Sequence, residues 1–365
     1  MSGSDFTRAE IEQQPAVWRA TRMVVQAART DVDRLLAAAL DDRTRIVLTG
    51  AGTSAYVGEI LAPELTRLLK RPVEAIPTTD LVTDPHAVAT GDQPVLLVSF
   101  ARSGNSPESL AAAGLIDQLA PVAHHLVITC NAEGRLARAY ESAGNAAVVT
   151  LPAATNDRGF AMTSSFTSML LAAYLCLAGE ADVDALAAAA ETVLARSEDV
   201  RRAVTALRPE RIVYLGSGSL KGLAREAALK TLELTAGTTV ALGESSLGFR
   251  HGPKAALTPG TLAVVFVSGD SYRRAYDLDL ARELAGDLGA ERVVLVDAGE
   301  GTWHVPRSPG LPDALWAVLA VIPAQLTALA CSLAAGLTPD NPFPGGEVNR
   351  VVQGVVIHPY GEGRN

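Results

Sequence analysis

The sequence predicts two tandem three-layer α/β/α sandwiches, each a parallel sheet covered by helices on both faces. Three observations carry this. The stretch "RIVLTGAG" from Arg45 returns as "RIVYLGSG" from Arg211, 166 residues later. The offset then stays nearly constant: "PVEAI" at Pro72 answers "TTVAL" at Thr238, "PVLLVSF" at Pro94 answers "TLAVVFV" at Thr261, and "HLVITC" at His125 answers "RVVLVD" at Arg292. Such self-similarity reads as a duplicated unit. Within each unit, short Val/Ile/Leu-rich runs alternate with helix-like segments, as strands buried on both faces require. Finally, 365 residues with 48% apolar content suffice for two compact lobes.

The elements divide the chain in order. Residues 1–44 read as helices, with Pro15 opening the second of them. Residues 45–207 form the first lobe together with two linking helices over 163–207. Residues 208–338 form the second lobe and end in a closing helix over 313–336. The tail, 339–365, is rich in loop-forming residues.

Composition excludes several function classes. The formal charge is −9 and no window gathers Lys and Arg into a stripe, so the chain carries no footprint for nucleic acid. Cys130, Cys176 and Cys331 are odd in number and sit in apolar runs, which fits reduced core thiols and a cytoplasmic place. The start, "MSGSDFTRAEIEQQPAVWRA", shows no signal-peptide pattern. The window Leu315–Leu337 is long enough to span a membrane, but Pro323, Gln325, Thr327 and Ser332 interrupt it and no basic cluster flanks it. It is expected to be a buried helix at the core or at a subunit contact.

In open parallel sheets, ligands sit beyond the carboxyl ends of the strands, against helix N-termini. Two loops of the first lobe are suited to this. "GAGTSA", Gly50–Ala55, follows the first strand; its glycines allow close backbone approach, while Thr53 and Ser54 offer hydroxyls. "ARSGNSPES", Ala101–Ser109, opens a helix at Pro107, and Arg102, Ser103, Asn105 and Ser106 supply more donors than a plain turn needs. That convergence points to a phosphate cradle. "GAGTSA" also fits a dinucleotide pattern, with Glu74 as the ribose ligand. An NAD-dependent enzyme is therefore a rival reading, but it leaves the serine-rich loop unexplained.

The second lobe lacks that loop and has other chemistry. In "AREAALKTLELT", Ala224–Thr235, Lys230 and Glu233 share a helix face at i,i+3 spacing. Eighteen residues after Glu233 comes His251, within "GFRHGPK". A carboxylate, an imidazole and a phosphate cradle suffice for aldose-ketose proton transfer, with no metal and no other cofactor. The remaining histidines, His86, His124, His125, His304 and His358, have no carboxylate at metal-ligand spacing.

"GAGTS", "SGNSPES", "ALKTLELTAG", "GFRHGPK" and the terminal "NRVVQGVVIHPY" together resemble the double sugar-isomerase (SIS) domain proteins. The closer likeness is to the tagatose-6-phosphate ketose/aldose isomerase and galactosamine-6-phosphate deaminase subgroup. More distant is the isomerase half of glucosamine-6-phosphate synthase. The resemblance implies flavodoxin-like SIS domains and an enzyme that converts galactosamine 6-phosphate, or a close hexosamine 6-phosphate, to a ketose 6-phosphate and ammonia. It implies a phosphate loop at residues 101–106, with Thr53 and Ser54 facing the sugar, Glu233 moving a proton from C2 to C1 beside Lys230, and His251 opening the ring. In the family that histidine comes from the partner subunit, so a homodimer with shared sites is expected. Two departures stand out: a serine of the synthase's loop is Ala101 here, and its imine-forming lysine aligns with Gln353. Simple isomerisation, deglycation of a fructosamine 6-phosphate and a non-catalytic sugar-phosphate sensor are the alternatives. Sensors usually carry a basic helix-turn-helix, whereas residues 1–44 hold six Arg against seven Asp and Glu.

Overall fold

The computed structural model describes residues 3–89, 91–299, 301–352 and 354–361. Three helices open the chain: α1 (Asp5–Glu12), α2 (Gln14–Ala27) and α3 (Arg29–Ala39). Pro15 lies in the first turn of α2, where its missing N–H costs nothing. Then come β1 (Arg45–Thr49), α4 (Thr53–Leu69), β2 (Val73–Ala75), α5 (Thr78–Thr83), β3 (Val95–Ala101), α6 (Pro107–Leu119), β4 (Ala123–Thr129), α7 (Arg135–Tyr140) and β5 (Ala146–Thr150).

The segment 163–207 holds three helices where two were expected: α8 (Ser164–Leu177), α9 (Val183–Leu194) and α10 (Ser197–Leu207). The extra break falls at Arg196, whose backbone (φ −102°, ψ 13°) leaves the helical region before the acidic first turn of α10. The second lobe comprises β6 (Arg211–Gly216), α11 (Ser219–Leu234), β7 (Val240–Glu244), α12 (Ser246–Phe249), β8 (Thr261–Phe266), α13 (Ser271–Leu288), β9 (Val293–Asp297), β10 (Trp303–His304) and α14 (Asp313–Ala334).

Both sheets are parallel and five-stranded. Their orders are β2-β1-β3-β4-β5 and β7-β6-β8-β9-β10, the same arrangement in each lobe. The reversal of strand order lies between β1 and β3 in one and β6 and β8 in the other. This is where such sheets open a crevice at their carboxyl edge. The central strands β3 and β8 are buried throughout, as their unbroken apolar runs require. The fifth strands were not read from the sequence. β10 is only two residues long, and β5 is the alanine-rich "AAVVT".

The two Gly-x-Gly turns have nearly the same backbone. Gly52 (φ 55°, ψ −126°) and Gly218 (φ 58°, ψ −126°) each precede a helix in a conformation that only glycine adopts freely. Helix α14 is long and apolar enough to cross a membrane, but 89% of its most apolar window is buried inside the chain. Gln14 donates to Gln325 at 2.9 Å in this core, so the interrupting glutamine has a partner.

Candidate active site

A cavity of about 260 Å³ lies at the carboxyl edge of the first sheet. Its floor is the turn 51–54 after β1 and residues 100–104 at the end of β3 and beyond it; the tail residues 348–352 form one wall, and Glu233 reaches in from the second lobe. The N-termini of α4 and α6 adjoin it, which favours an anion.

Thr53, Ser54, Arg102, Ser103, Ser106 and Glu233 all line this cavity. Lys230 lies just behind it, fully buried, and ties the lobes together: its Nζ donates to Thr53 Oγ1 at 2.8 Å and to Glu233 Oε2. Thus a hydroxyl of the first lobe and a carboxylate of the second share one ammonium. Burial works against that charge, but Glu226 and Glu233 outweigh it and hold Lys230 above the ordinary lysine value.

Arg102 is also buried. It donates to the carbonyl oxygen of Arg350 at 2.7 Å and to that of Phe160 at 3.5 Å. Arg350 in turn donates to the carbonyl oxygen of Asp157. Among the described residues neither guanidinium is ion-paired to a carboxylate. Burial, and then the Arg350 charge, pull Arg102 below its usual value. Two cations held side by side on carbonyls are a surface that an anion would relieve.

Two expected residues stand apart from the cavity. Asn105 is exposed, and its side-chain oxygen accepts from the Arg135 N–H at the start of α7 at 3.0 Å. The loop uses this amide to hold itself, as Asn131 does by donating to the Ser103 carbonyl at 2.9 Å. His251 lies on an exposed turn after α12 and is not among the residues that line the cavity of its own chain. Gln353 lies outside the described residues. Glu74, the ribose ligand of the dinucleotide reading, is bound instead by Arg45 at the amino end of β1, opposite the Gly50–Ala55 turn.

Sequence reasoning missed three residues. Arg350 belongs to a motif already singled out, but nothing distinguished it from its neighbours. Phe160 packs at a tilt against Phe343, 5.1 Å between centroids and 50° between planes, and so fastens the tail beside the cavity. Glu226 had a signal in its i,i+4 spacing to Lys230. It is fully buried, 3.6 Å from the Lys230 ammonium, with neither oxygen hydrogen-bonded to a described residue. Burial, partly offset by Lys230, raises its carboxyl to about 8. One lysine thus faces two carboxyls, and the nearer, Glu233, takes its hydrogen bond.

The corresponding loops of the second lobe are closed from within. Asp277 of α13 accepts from Ser217 Oγ at 2.5 Å, Ser246 Oγ at 2.5 Å and the Ser268 N–H at 3.0 Å. Asp313 accepts from Ser268 Oγ at 2.5 Å and the Gly269 N–H at 2.9 Å, and pairs with Arg307.

Residues 39–178 match the SIS domain family. An AgaS protein of Streptomyces coelicolor is 54% identical over 96% of this chain and 95% of its own length. This chain belongs to the AgaS family of SIS-domain proteins. The D-galactosamine-6-phosphate deaminase AgaS of Escherichia coli is 44% identical to it, over 97% of this chain and 96% of its own. The crystal structure of tagatose-6-phosphate ketose/aldose isomerase from Escherichia coli superposes with a TM-score of 0.90 at 42% identity, covering 98% of this chain and 97% of that one. The chain is thus an AgaS-type enzyme with tandem SIS α/β domains, and the expected fold and family both hold.

Proposed function

We propose that this enzyme converts galactosamine 6-phosphate to tagatose 6-phosphate and ammonia. One observation carries the reading. Among the described residues the cavity is lined by one carboxylate, Glu233, and by a buried Arg102 whose partners are carbonyl oxygens, so a base shares the cavity with an anion site. The names of the relatives, a deaminase and a ketose/aldose isomerase, fit the two outcomes such a site offers.

The phosphate would sit on Ser103, Ser106 and the N-terminus of α6, with the Arg102 and Arg350 charges behind it. Once the sugar ring is open, the C1 aldehyde acidifies the C2–H bond. Glu233 removes that proton, the C–H electrons form the C1–C2 double bond, and the carbonyl oxygen takes up a proton, giving an enolamine. Returning the proton to C1 leaves an imine at C2. Water adds there, ammonia leaves, and the ketose remains. Lys230 keeps Glu233 oriented, while Thr53 and Ser54 offer hydroxyls to the sugar. With a hydroxyl at C2, the same shuttle gives simple isomerisation.

Ring opening needs a group that moves a proton between O5 and O1. His251 has that chemistry but is exposed and does not line its own chain's cavity, so we assign it to the site of a second copy, in a homodimer. The three cysteines, free and buried, are compatible with a reducing, cytoplasmic setting.

The deciding experiment is an ammonia-release assay on galactosamine 6-phosphate, glucosamine 6-phosphate and their N-acetylated forms. Ammonia is expected from the first. No ammonia from any of them, with tagatose 6-phosphate also inert, would exclude the deaminase and isomerase readings together.

A further inference from the structure

The turn carrying His251 is braced far more firmly than an exposed loop requires. Ser245 caps α12 by accepting from the Gly248 N–H at 3.1 Å. Ser246 Oγ is held by buried Asp277, and Phe249 is buried in the second-lobe core. Beyond His251 the bracing comes from one residue of α13. Glu283 accepts from Arg250 Nε at 2.7 Å through one oxygen and from Lys254 Nζ through the other. Asp287, one turn on, reaches Lys254 at 2.8 Å. The two cations flanking the histidine are therefore fixed to a single carboxylate, and the imidazole between them projects into solvent.

These pairs are about a third exposed, so they contribute little to folding stability. What they do is restrict geometry. A two-point clamp on residues 250 and 254 removes the swing of the intervening turn, which a histidine serving an atom outside its own cavity would need. We infer that Glu283 is a positioning residue for ring opening, acting through Arg250 and Lys254 to hold His251 at its working height. This rests on the role proposed above for His251. Burial, charge pairing and chain direction all agree: the loop is anchored on α13 at Asp277, before the histidine, and at Glu283, on both sides of it.

The test isolates ring opening from the later proton transfer. In a Glu233→Gln background the C2 proton stays in place, yet the enzyme should still interconvert the α and β anomers of galactosamine 6-phosphate, read by NMR magnetisation exchange. Adding Glu283→Gln should slow that catalysed exchange about tenfold to a hundredfold, the usual cost of misplacing a group by an ångström. Glu283→Asp, which keeps the charge, should retain more of it than Gln. Inorganic phosphate binding and the melting temperature should not change. Replacing Arg250 and Lys254 together by Gln attacks the same clamp from the other side and should act alike. Undiminished exchange in the Glu283→Gln chain, while His251→Ala abolishes it, would overturn the clamp and leave His251 in its role. A loss that tracks weaker phosphate binding or a lower melting temperature would also overturn it, as general destabilisation. Undiminished exchange in the His251→Ala chain, or none in the Glu233→Gln parent, would instead remove the ring-opening role itself.

Discussion

Arg225 donates to both carboxylate oxygens of Glu59, at 3.1 and 2.9 Å, across a separation of 166 residues. That number is also the offset between Arg45 and Arg211, which begin the first strands of the two sheets. Glu59 in α4 and Arg225 in α11 are therefore equivalent positions of the two lobes. Equivalent positions can touch only where the local axis relating the lobes passes between them. The helices meet closely there: a methyl group on Gly222 would come within 2.9 Å of Ile60. The same pair of helices begins with Thr53 on one and ends with Lys230 and Glu233 on the other, so the axis contact sets the lobes in register for the site.

Because the two positions are equivalent, exchanging their charges should be tolerated. Glu59→Arg and Arg225→Glu singly should each lower the melting temperature, and the double exchange should recover most of the loss. The coupling expected for a partly exposed pair is about 0.5–1 kcal/mol. A double-mutant cycle by thermal or urea unfolding measures it, and additive losses would mean that the pair is incidental.

Glu233→Gln keeps the side-chain size but removes the carboxylate proposed as the base. Turnover should fall by roughly two to four orders of magnitude while inorganic phosphate still binds. Near-normal ammonia release would reduce Glu233 to a structural partner of Lys230.

On the proposed phosphate site, Ser103→Ala and Ser106→Ala would touch only the part of the substrate that does not react. Steady-state kinetics should show KM rising by about tenfold with kcat little changed, the mark of lost uniform binding. Arg102→Ala should raise KM and also loosen the tail, since Arg102 holds the Arg350 carbonyl. A fall confined to kcat would place these residues elsewhere in the mechanism.

Glu226 makes stability depend on pH in a particular direction. The unfolded carboxyl gives up its proton near pH 4.5, whereas the folded one keeps it to about pH 8. Between those values the folded chain binds more protons than the unfolded chain, so stability falls as pH rises. Glu10, raised by burial to about 7, adds to the same slope. Glu226→Gln should flatten the curve, melting roughly a few degrees higher relative to the parent at pH 8 than at pH 5. Parallel melting curves across that range would mean that Glu226 shares the Lys230 charge instead of holding its own proton.

Sharing of sites between subunits has a direct signature. Glu233→Gln and His251→Ala chains, each inactive alone, should complement one another after subunit exchange. Random pairing makes about half the dimers hybrid with one intact site each, so activity should approach roughly a quarter of the parent value. If every site is built within one chain, the mixture stays as inactive as its components.

The fold was legible because buried parallel strands are written as unbroken apolar runs, and because the sequence states them twice. β3 and β8 illustrate this; β10, two residues long beside a turn, carries no such signal. That the loop between Ala101 and Ser109 lines the cavity was legible from its density of hydroxyls. Its electrostatics were not, because they arise where residues distant in sequence meet. Arg102 and Arg350 become neighbours only when the tail folds back across the first lobe, and the Glu226 carboxyl is pushed upward only once α11 is buried. Asn105 shows the reverse: a residue type suited to ligand binding was used to hold a turn.

Asp277 bears on how this molecule responds to an empty site. In the second lobe its carboxylate ties together the loops after β6, β7 and β8, whereas in the first lobe the loops after β1 and β3 line an open cavity. One half of the protein thus carries its own internal carboxyl tie, and the other would borrow an anion from solution. Ligand binding can tighten only the borrowing half, by an amount that grows with ligand concentration. Hydrogen exchange with and without phosphate should therefore slow in the loops at 51–54 and 101–106 and remain constant at 217–219 and 267–270, so that the helix bearing Glu233 stands ready on a base that does not wait for substrate.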